Sequence, residues 1–181
     1  GASSPVWSPD GTQIAFTAGI DYGDDKAPDR SKEPYRVTRN VWRFDAIGDI
    51  ELAVNNLYRV DVDSKDVTQL TDDATTIKTG VTWSPDGTRI FYSAMMQPDK
   101  WAGFESIHYV IDTAGDVLHT LDDLGYLNNG TWLDDERLIF VGNYDTEVTI
   151  GTHSDLQVYT LADGALDNRT AGMALGLLGG L

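Results

Sequence analysis

Apolar and polar residues alternate in short runs along this chain, and the runs recur. From Trp7 the chain reads WSPDGTQIAFT; from Thr82 it reads TWSPDGTRIFYS, and from Thr131 TWLDDERLIFV, one residue shorter through the turn. Each copy has a tryptophan on a short strand, a tight polar turn, and then apolar residues at the two-residue period of a strand. The pattern predicts a β-hairpin written three times. Pro85 pre-sets its own φ for a type I turn, Asp86 folds its carboxylate back onto the backbone, and Gly87 takes the left-handed conformation that a Cβ resists. Trp7, Trp83 and Trp132 are large enough to fill the space between one sheet and the next.

A second unit recurs between these hairpins. LYRVDVDSKDVTQLT starts at Leu57, IHYVIDTAGDVLHTL at Ile107 and LQVYTLADGALDNRT at Leu156, offsets of 50 and 49 residues. Trp83 and Trp132 are also 49 apart, so two independent features share one period. Four antiparallel strands repeated at that spacing are the signature of a β-propeller blade. The expected fold is all-β: a propeller fragment with blade one over about 4–72, blade two over about 80–123 and blade three over about 129–171. Residues 172–181 read as the start of a further blade or a truncated end. Three blades do not close a propeller of the usual four to eight. The two outer faces are therefore expected to be apolar, with self-association as a consequence.

Blade one carries an insertion, 19–56. Gly19 to Pro34 is rich in Gly, Asp and Pro and reads as a surface loop. Tyr35 to Phe44 (YRVTRNVWRF) alternates as a strand, and residues 45–49 (DAIGD) are turn-like. Inserted loops on a rigid scaffold commonly carry recognition, and arginine pairs with carboxylates through two parallel hydrogen bonds. Arg39, Trp42, Arg43 and Phe44 are therefore the candidate recognition residues. The competing reading is a half-exposed strand with alternating arginines and aromatics.

Composition narrows the function classes. The net charge is −16, from 29 acids against 13 bases, which argues against a nucleic-acid partner, since phosphate binding needs a basic patch. No apolar run approaches the roughly 20 residues of a membrane span, so no membrane partner is expected. There are no cysteines, which fits a reducing, cytoplasmic setting. Of the acids, 24 are Asp. Asp is the turn-forming acid, and this chain is full of turns; the alternative is a surface adapted to high salt.

No catalytic residue is expected. None of the nine serines lies in the G-x-S-x-G context of a hydrolase nucleophile. His108 and His119 fall on predicted strands and His153 in a loop. No metal or other cofactor is expected either. Asp61, Asp63 and Asp66 lack the glycine and distal glutamate of a calcium loop. Asp21, Asp24, Asp25 and Asp29 are oxygen-rich and better spaced to converge on a cation, yet carry no such motif.

The WSPDG copies and the VDVDSKDVTQLT segment resemble the propeller repeats of TolB-type translocation proteins and of prolyl oligopeptidase-family serine peptidases. The stretch from Tyr35 to Gly48 is similar to a segment of acylaminoacyl-peptidase-like propellers, a Tyr/Arg-Phe-Asp-Gly-x-Gly loop leading to a strand. Arg43, Phe44, Asp45 and Gly48 match it, and Ala46 stands where a glycine is usual. The resemblance implies a lid and size filter for short peptide substrates, over a separate α/β-hydrolase domain of the same polypeptide that bears the Ser-Asp-His triad. The TolB alternative implies a protein–protein interaction module, and a periplasmic location.

Overall fold

The computed structural model describes residues 1–19, 34, 36–98, 106–143 and 154–173. In chain order the first part forms β1 (Ala2–Trp7), β2 (Gln13–Gly19), a two-stranded ribbon of β3 (Arg43–Phe44) and β4 (Gly48–Asp49), a single helical turn α1 (Ile50–Ala53), β5 (Asn55–Asp61) and β6 (Val67–Gln69). Then come β7 (Ile77–Trp83), β8 (Arg89–Met95), β9 (Ile107–Asp112) and β10 (Val117–Leu121). The last set is β11 (Tyr126–Trp132), β12 (Arg137–Asn143), β13 (Asp155–Thr160) and β14 (Leu166–Asn168). The strands pair as three antiparallel sheets, β1-β2-β5-β6, β7-β8-β9-β10 and β11-β12-β13-β14. The first strand of each sheet packs against its counterpart in the next, β1 on β7 and β7 on β11. The sheets are thus three propeller blades that share an inner side.

The hairpin turn forms as its residues dictate. The Ser84 carbonyl accepts from Gly87 N at 2.9 Å, and Ser8 accepts from Gly11 N at 3.0 Å. Gly87 and Gly11 both sit at φ +73°. The Asp86 carboxylate accepts from Thr88 N at 2.9 Å and from Ser84 Oγ at 2.6 Å. In the third copy Leu133 N bonds to Arg137 O, four residues on, where Ser84 N bonds to Arg89 O, five residues on. That is the missing residue seen in hydrogen bonds.

Each sheet begins two or three residues earlier than the repeat alone suggests, at Ala2, Ile77 and Tyr126. The reason is a bulge. The register slips between Ser3 and Val6, between Thr79 and Thr82, and between Asn128 and Thr131. The extra residue is left-handed in the first two blades, Ser4 at φ +52° and Gly80 at +62°. Such a bulge re-aims the strand without ending it, and it masks the alternation upstream of each tryptophan.

Strand parity then assigns side chains to the two blade interfaces. Ile90, Tyr92 and Ala94 of β8 are buried with Ala15, Leu57 and Leu70 of blade one. Phe91, from the opposite face of the same strand, is buried with Leu127, Leu138 and Phe140 of blade three. Two tryptophans lock the blades: Trp83 Nε1 donates to the Val6 carbonyl at 3.1 Å, and Trp132 Nε1 to the Thr82 carbonyl at 3.3 Å. Each acceptor is the residue just before the preceding blade's own tryptophan.

One local expectation changes. Among residues 36–44 only Arg43 and Phe44 are strand. The alternation there does not produce a longer strand, because Arg39 turns inward to bond main-chain carbonyls outside the insertion. Asp21, Asp24, Asp25, Asp29 and His153 lie outside the described residues, as do 174–181.

Candidate functional site

β2 and β5 of blade one run antiparallel, so the insertion between them leaves from the end of the blade opposite the SPDG turn. The connection from blade one to blade two, Thr71–Thr76, and the end of β8 lie at that same end. The insertion is anchored there. Arg39 is buried, and its Nη2 donates to the Thr75 carbonyl at 2.9 Å and to the Met96 carbonyl. Asn40 N donates to the Pro98 carbonyl at 3.1 Å. Burial lowers the Arg39 pKa, while Glu51, Asp49 and Asp73 act against that shift. The guanidinium stays charged, since arginine is protonated throughout the working pH range.

After this anchor the chain emerges. Trp42 and Arg43 are exposed and Phe44 is half-buried. Phe44 O accepts from Ile47 N at 3.3 Å across a turn with Ala46 at φ +66° and Gly48 at +83°. Asp49 caps α1 by accepting from Glu51 N at 3.1 Å, and Ile50 and Val54 bury their side chains. Of the four candidate residues, the structure thus places Arg43 and Phe44 on the ribbon with Trp42 just before it, and commits one nitrogen of Arg39 to main-chain carbonyls.

Beside this anchor is a cleft of about 450 Å³ between blades one and two. Leu70, Asp73, Thr75, Lys78, Tyr92 and Tyr109 are among its lining residues. Tyr92 and Tyr109 stack with ring centroids 5.2 Å apart. Lys78 Nζ lies 2.8 Å from Asp73 Oδ2, and it also donates to the Asp73 and Thr76 carbonyls at 3.0 and 3.3 Å. Burial alone would raise the Asp73 pKa, but hydrogen bonds from Lys78, Thr75 and Thr76 hold it below the usual carboxylate range. Burial lowers Lys78, against the pull of Asp73. The two shifts oppose each other as statements about one pair. Geometry decides in favour of an ionised pair at neutral pH, because three acceptors surround the ammonium. Asn55 completes the joint, accepting from Lys78 N at 2.6 Å and donating to the Lys78 carbonyl at 3.2 Å. None of this was visible in the sequence, where Lys78 falls just ahead of the expected start of blade two.

A serine–histidine pair does form. Ser93 Oγ lies 2.8 Å from His108 Nδ1. The pair is buried between blades, with the imidazole 5.8 Å from the Phe91 ring and 5.0 Å from Phe140. His108 Nε2 has no hydrogen-bond partner among the described residues. Burial pushes the imidazole pKa down to about 4, against the smaller opposing effect of the Leu127 backbone. A nucleophile needs access to substrate and a base oriented by a third group, and among the described residues this pair has neither. It is a packed polar joint. Asp61 likewise serves a turn, accepting from Asp63 N at 3.1 Å and Ser64 N at 2.9 Å.

No family model and no curated relative matches the sequence. Solved structures do match. The acylaminoacyl peptidase of Pyrococcus horikoshii aligns with a TM-score of 0.58 at 16% identity, over 92% of this chain and 24% of that one. TolB from Acinetobacter baumannii aligns at 0.52 and 16% identity, over 91% and 31%. The β-propeller domain of the Trilobed protease from Pyrococcus furiosus aligns at 0.54 and 14% identity, over 97% and 44%. The chain therefore spans between a quarter and a half of the length of these proteins. At such identities the likeness is one of fold, and it agrees with the blades: this chain has the β-propeller fold that acylaminoacyl peptidases and TolB proteins carry.

Proposed function

We propose that this chain is a non-catalytic propeller segment of a serine peptidase of the acylaminoacyl or prolyl oligopeptidase kind. It gates and size-filters peptide access to a separate α/β-hydrolase domain of the same polypeptide, in the cytoplasm. The observation that carries this reading is the Arg43–Phe44 ribbon. It stands on a buried anchor at one end of the blades, it displays Trp42 and Arg43, and it holds the residues that resemble the peptidase propellers. The likeness in fold to an acylaminoacyl peptidase supports it. An exposed arginine on a rigid mount suits a peptide carboxylate, and the aromatic beside it offers a flat apolar surface.

The test uses the full polypeptide that contains this chain. A serine-directed fluorophosphonate is expected to label it, and it is expected to cleave short acyl-peptides in preference to long ones. Arg43→Glu and Trp42→Ala are expected to change KM or the length limit and to leave kcat near the parent value. A polypeptide that takes no label overturns the reading. The alternative is a TolB-like interaction module in the periplasm, supported by the likeness to TolB of A. baumannii. It predicts no label and capture of a protein partner.

A further inference from the structure

The cleft between blades one and two is lined only by residues from Leu70 to Val117, in the middle of the chain. A close approach shuts one side of it. Gly115 sits at φ +101°, and a Cβ there would fall 2.6 Å from the Leu70 carbonyl oxygen. The β9–β10 turn therefore lies directly on Leu70. Tyr92 and Tyr109 pair across β8 and β9, and their stacked rings form one wall. Tyr92 is 5% exposed, yet no hydrogen bond ties its hydroxyl to another described residue. A buried hydroxyl without a partner costs free energy unless water or a ligand meets it. Burial raises its pKa, and Tyr109 and Asp73 add to the shift, so the group is a neutral phenol. The Asp73 carboxylate acts on both tyrosines, which places their phenol ends towards it.

Charge decides what this space takes. Its charged lining residues are Asp72, Asp73 and Lys78, two carboxylates against one ammonium. The ammonium is spent, because its three protons meet Asp73 Oδ2, the Asp73 carbonyl and the Thr76 carbonyl. Arg39, beyond the Thr75 carbonyl, is turned to main-chain oxygens and faces Glu51, Asp49 and Asp73. No cation among the lining residues is left for an anionic ligand. Asp72 is different: it is exposed, and no ion pair joins it to another described residue. Apolar surface comes from the tyrosine rings, from Ala94 and from Val117, which is 55% exposed. Aromatic faces attract cations, and a carboxylate binds a guanidinium through two parallel hydrogen bonds.

We propose that the cleft binds an organic cation, a guanidinium or ammonium on an alkyl stem such as an arginine or lysine side chain carries. The stem packs on Val117 and the tyrosine rings, as long basic side chains do on apolar surface. The head donates to Asp72 and to the phenol oxygen of Tyr92. A volume of about 450 Å³ falls within the usual range of small-ligand sites, roughly 300–1,000 Å³. The net charge of −16 draws a cation in, and salt weakens that attraction. This inference does not rest on the peptidase reading.

Titration calorimetry of the full polypeptide that contains this chain tests it, after treatment with a serine-directed fluorophosphonate so that any hydrolase site is filled. Whether the label is taken up bears on the peptidase reading alone. Nα-acetyl-arginine methylamide is expected to bind at one saturable site, roughly tenfold more tightly than Nα-acetyl-norleucine methylamide, and more weakly as KCl rises. Asp72→Asn and Tyr92→Phe are each expected to weaken binding several-fold; the second keeps the ring and removes only the hydroxyl. Val117→Lys, at an exposed position, places a competing ammonium in the cleft and is expected to abolish binding. Circular dichroism and thermal melting establish that each variant is folded. Ethylguanidinium separates two sources of the cation. Weaker binding than the arginine probe assigns the ligand to a peptide side chain, equal binding to a small free cation, and either supports the site. No saturable binding of the arginine probe, equal binding of the norleucine probe, or a folded Val117→Lys variant that binds as the parent does each overturns the proposal.

Discussion

At the scale of single residues, backbone strain at Ala46 and the buried imidazole of His108 each have a measurable consequence. Ala46 is the third residue of the turn closed by Phe44 O and Ile47 N, and it sits at φ +66°. A type II turn asks for glycine there, which explains why glycine is usual in the propellers this stretch resembles. Ala46→Gly is expected to raise stability by roughly 0.5 kcal/mol, since relief of left-handed strain exceeds the added freedom of the unfolded chain. A lower melting temperature would contradict it. His108 is the second case. Its folded pKa of about 4 lies below the unfolded value of 6.5. On acidification the unfolded chain takes up this proton first, so the contribution is present in full above pH 6.5 and is lost as pH falls towards 4. The loss is at most about 3 kcal/mol. His108→Gln is expected to flatten the denaturation midpoint between those two pH values; a profile that keeps the parent slope would show that another group is responsible.

At the scale of elements, inner strands and interfaces matter more than hairpins. Gly130 of β11 is placed so that a Cβ would fall 2.4 Å from Phe91 Cζ and 2.6 Å from Phe140 Cε1. Those two rings meet edge to face, 5.7 Å apart, at the centre of the joint between blades two and three. Gly130→Ala is expected to cost about 1–3 kcal/mol by overpacking, seen as a lower urea midpoint with unchanged slope. A neutral effect would mean that the rings move aside freely. The sequence shows Gly130 only as a small residue within a strand. Its reason lies in two side chains 10 or more positions away, and no local pattern carries that.

At the scale of the whole molecule, acids outnumber bases by 29 to 13. Asp10, Asp61, Asp86 and Asp134 each accept backbone N–H groups in turns, and hydrogen bonds hold all four below the usual carboxylate range. The turn reading of the aspartates is thus supported locally. All four lie in turns at the end of the blades opposite the insertion. Self-repulsion of a −16 chain opposes the compact state. Melting temperature is expected to rise between about 0.1 M and 2 M KCl as the screening length shrinks. Unchanged melting across that range would exclude adaptation to high salt.

The sequence by itself determined the blades. Hairpin turns depend on Pro, Asp and Gly at neighbouring positions, and strand faces on a period of two, so both are written locally and survive without knowledge of the rest. It also pointed to the insertion and to Arg39, Trp42, Arg43 and Phe44 within it. Only the tertiary structure decided what each of these does. Arg39 became an anchor because Thr75 and Met96, far along the chain, bring two carbonyls to it. Asn55 met Lys78, Trp83 met Val6, and the cleft between blades one and two opened, because neighbouring blades place distant residues side by side. The physical reason is the same throughout: a turn is closed by its own neighbours, whereas an interface is made by residues whose separation in the chain no local pattern records.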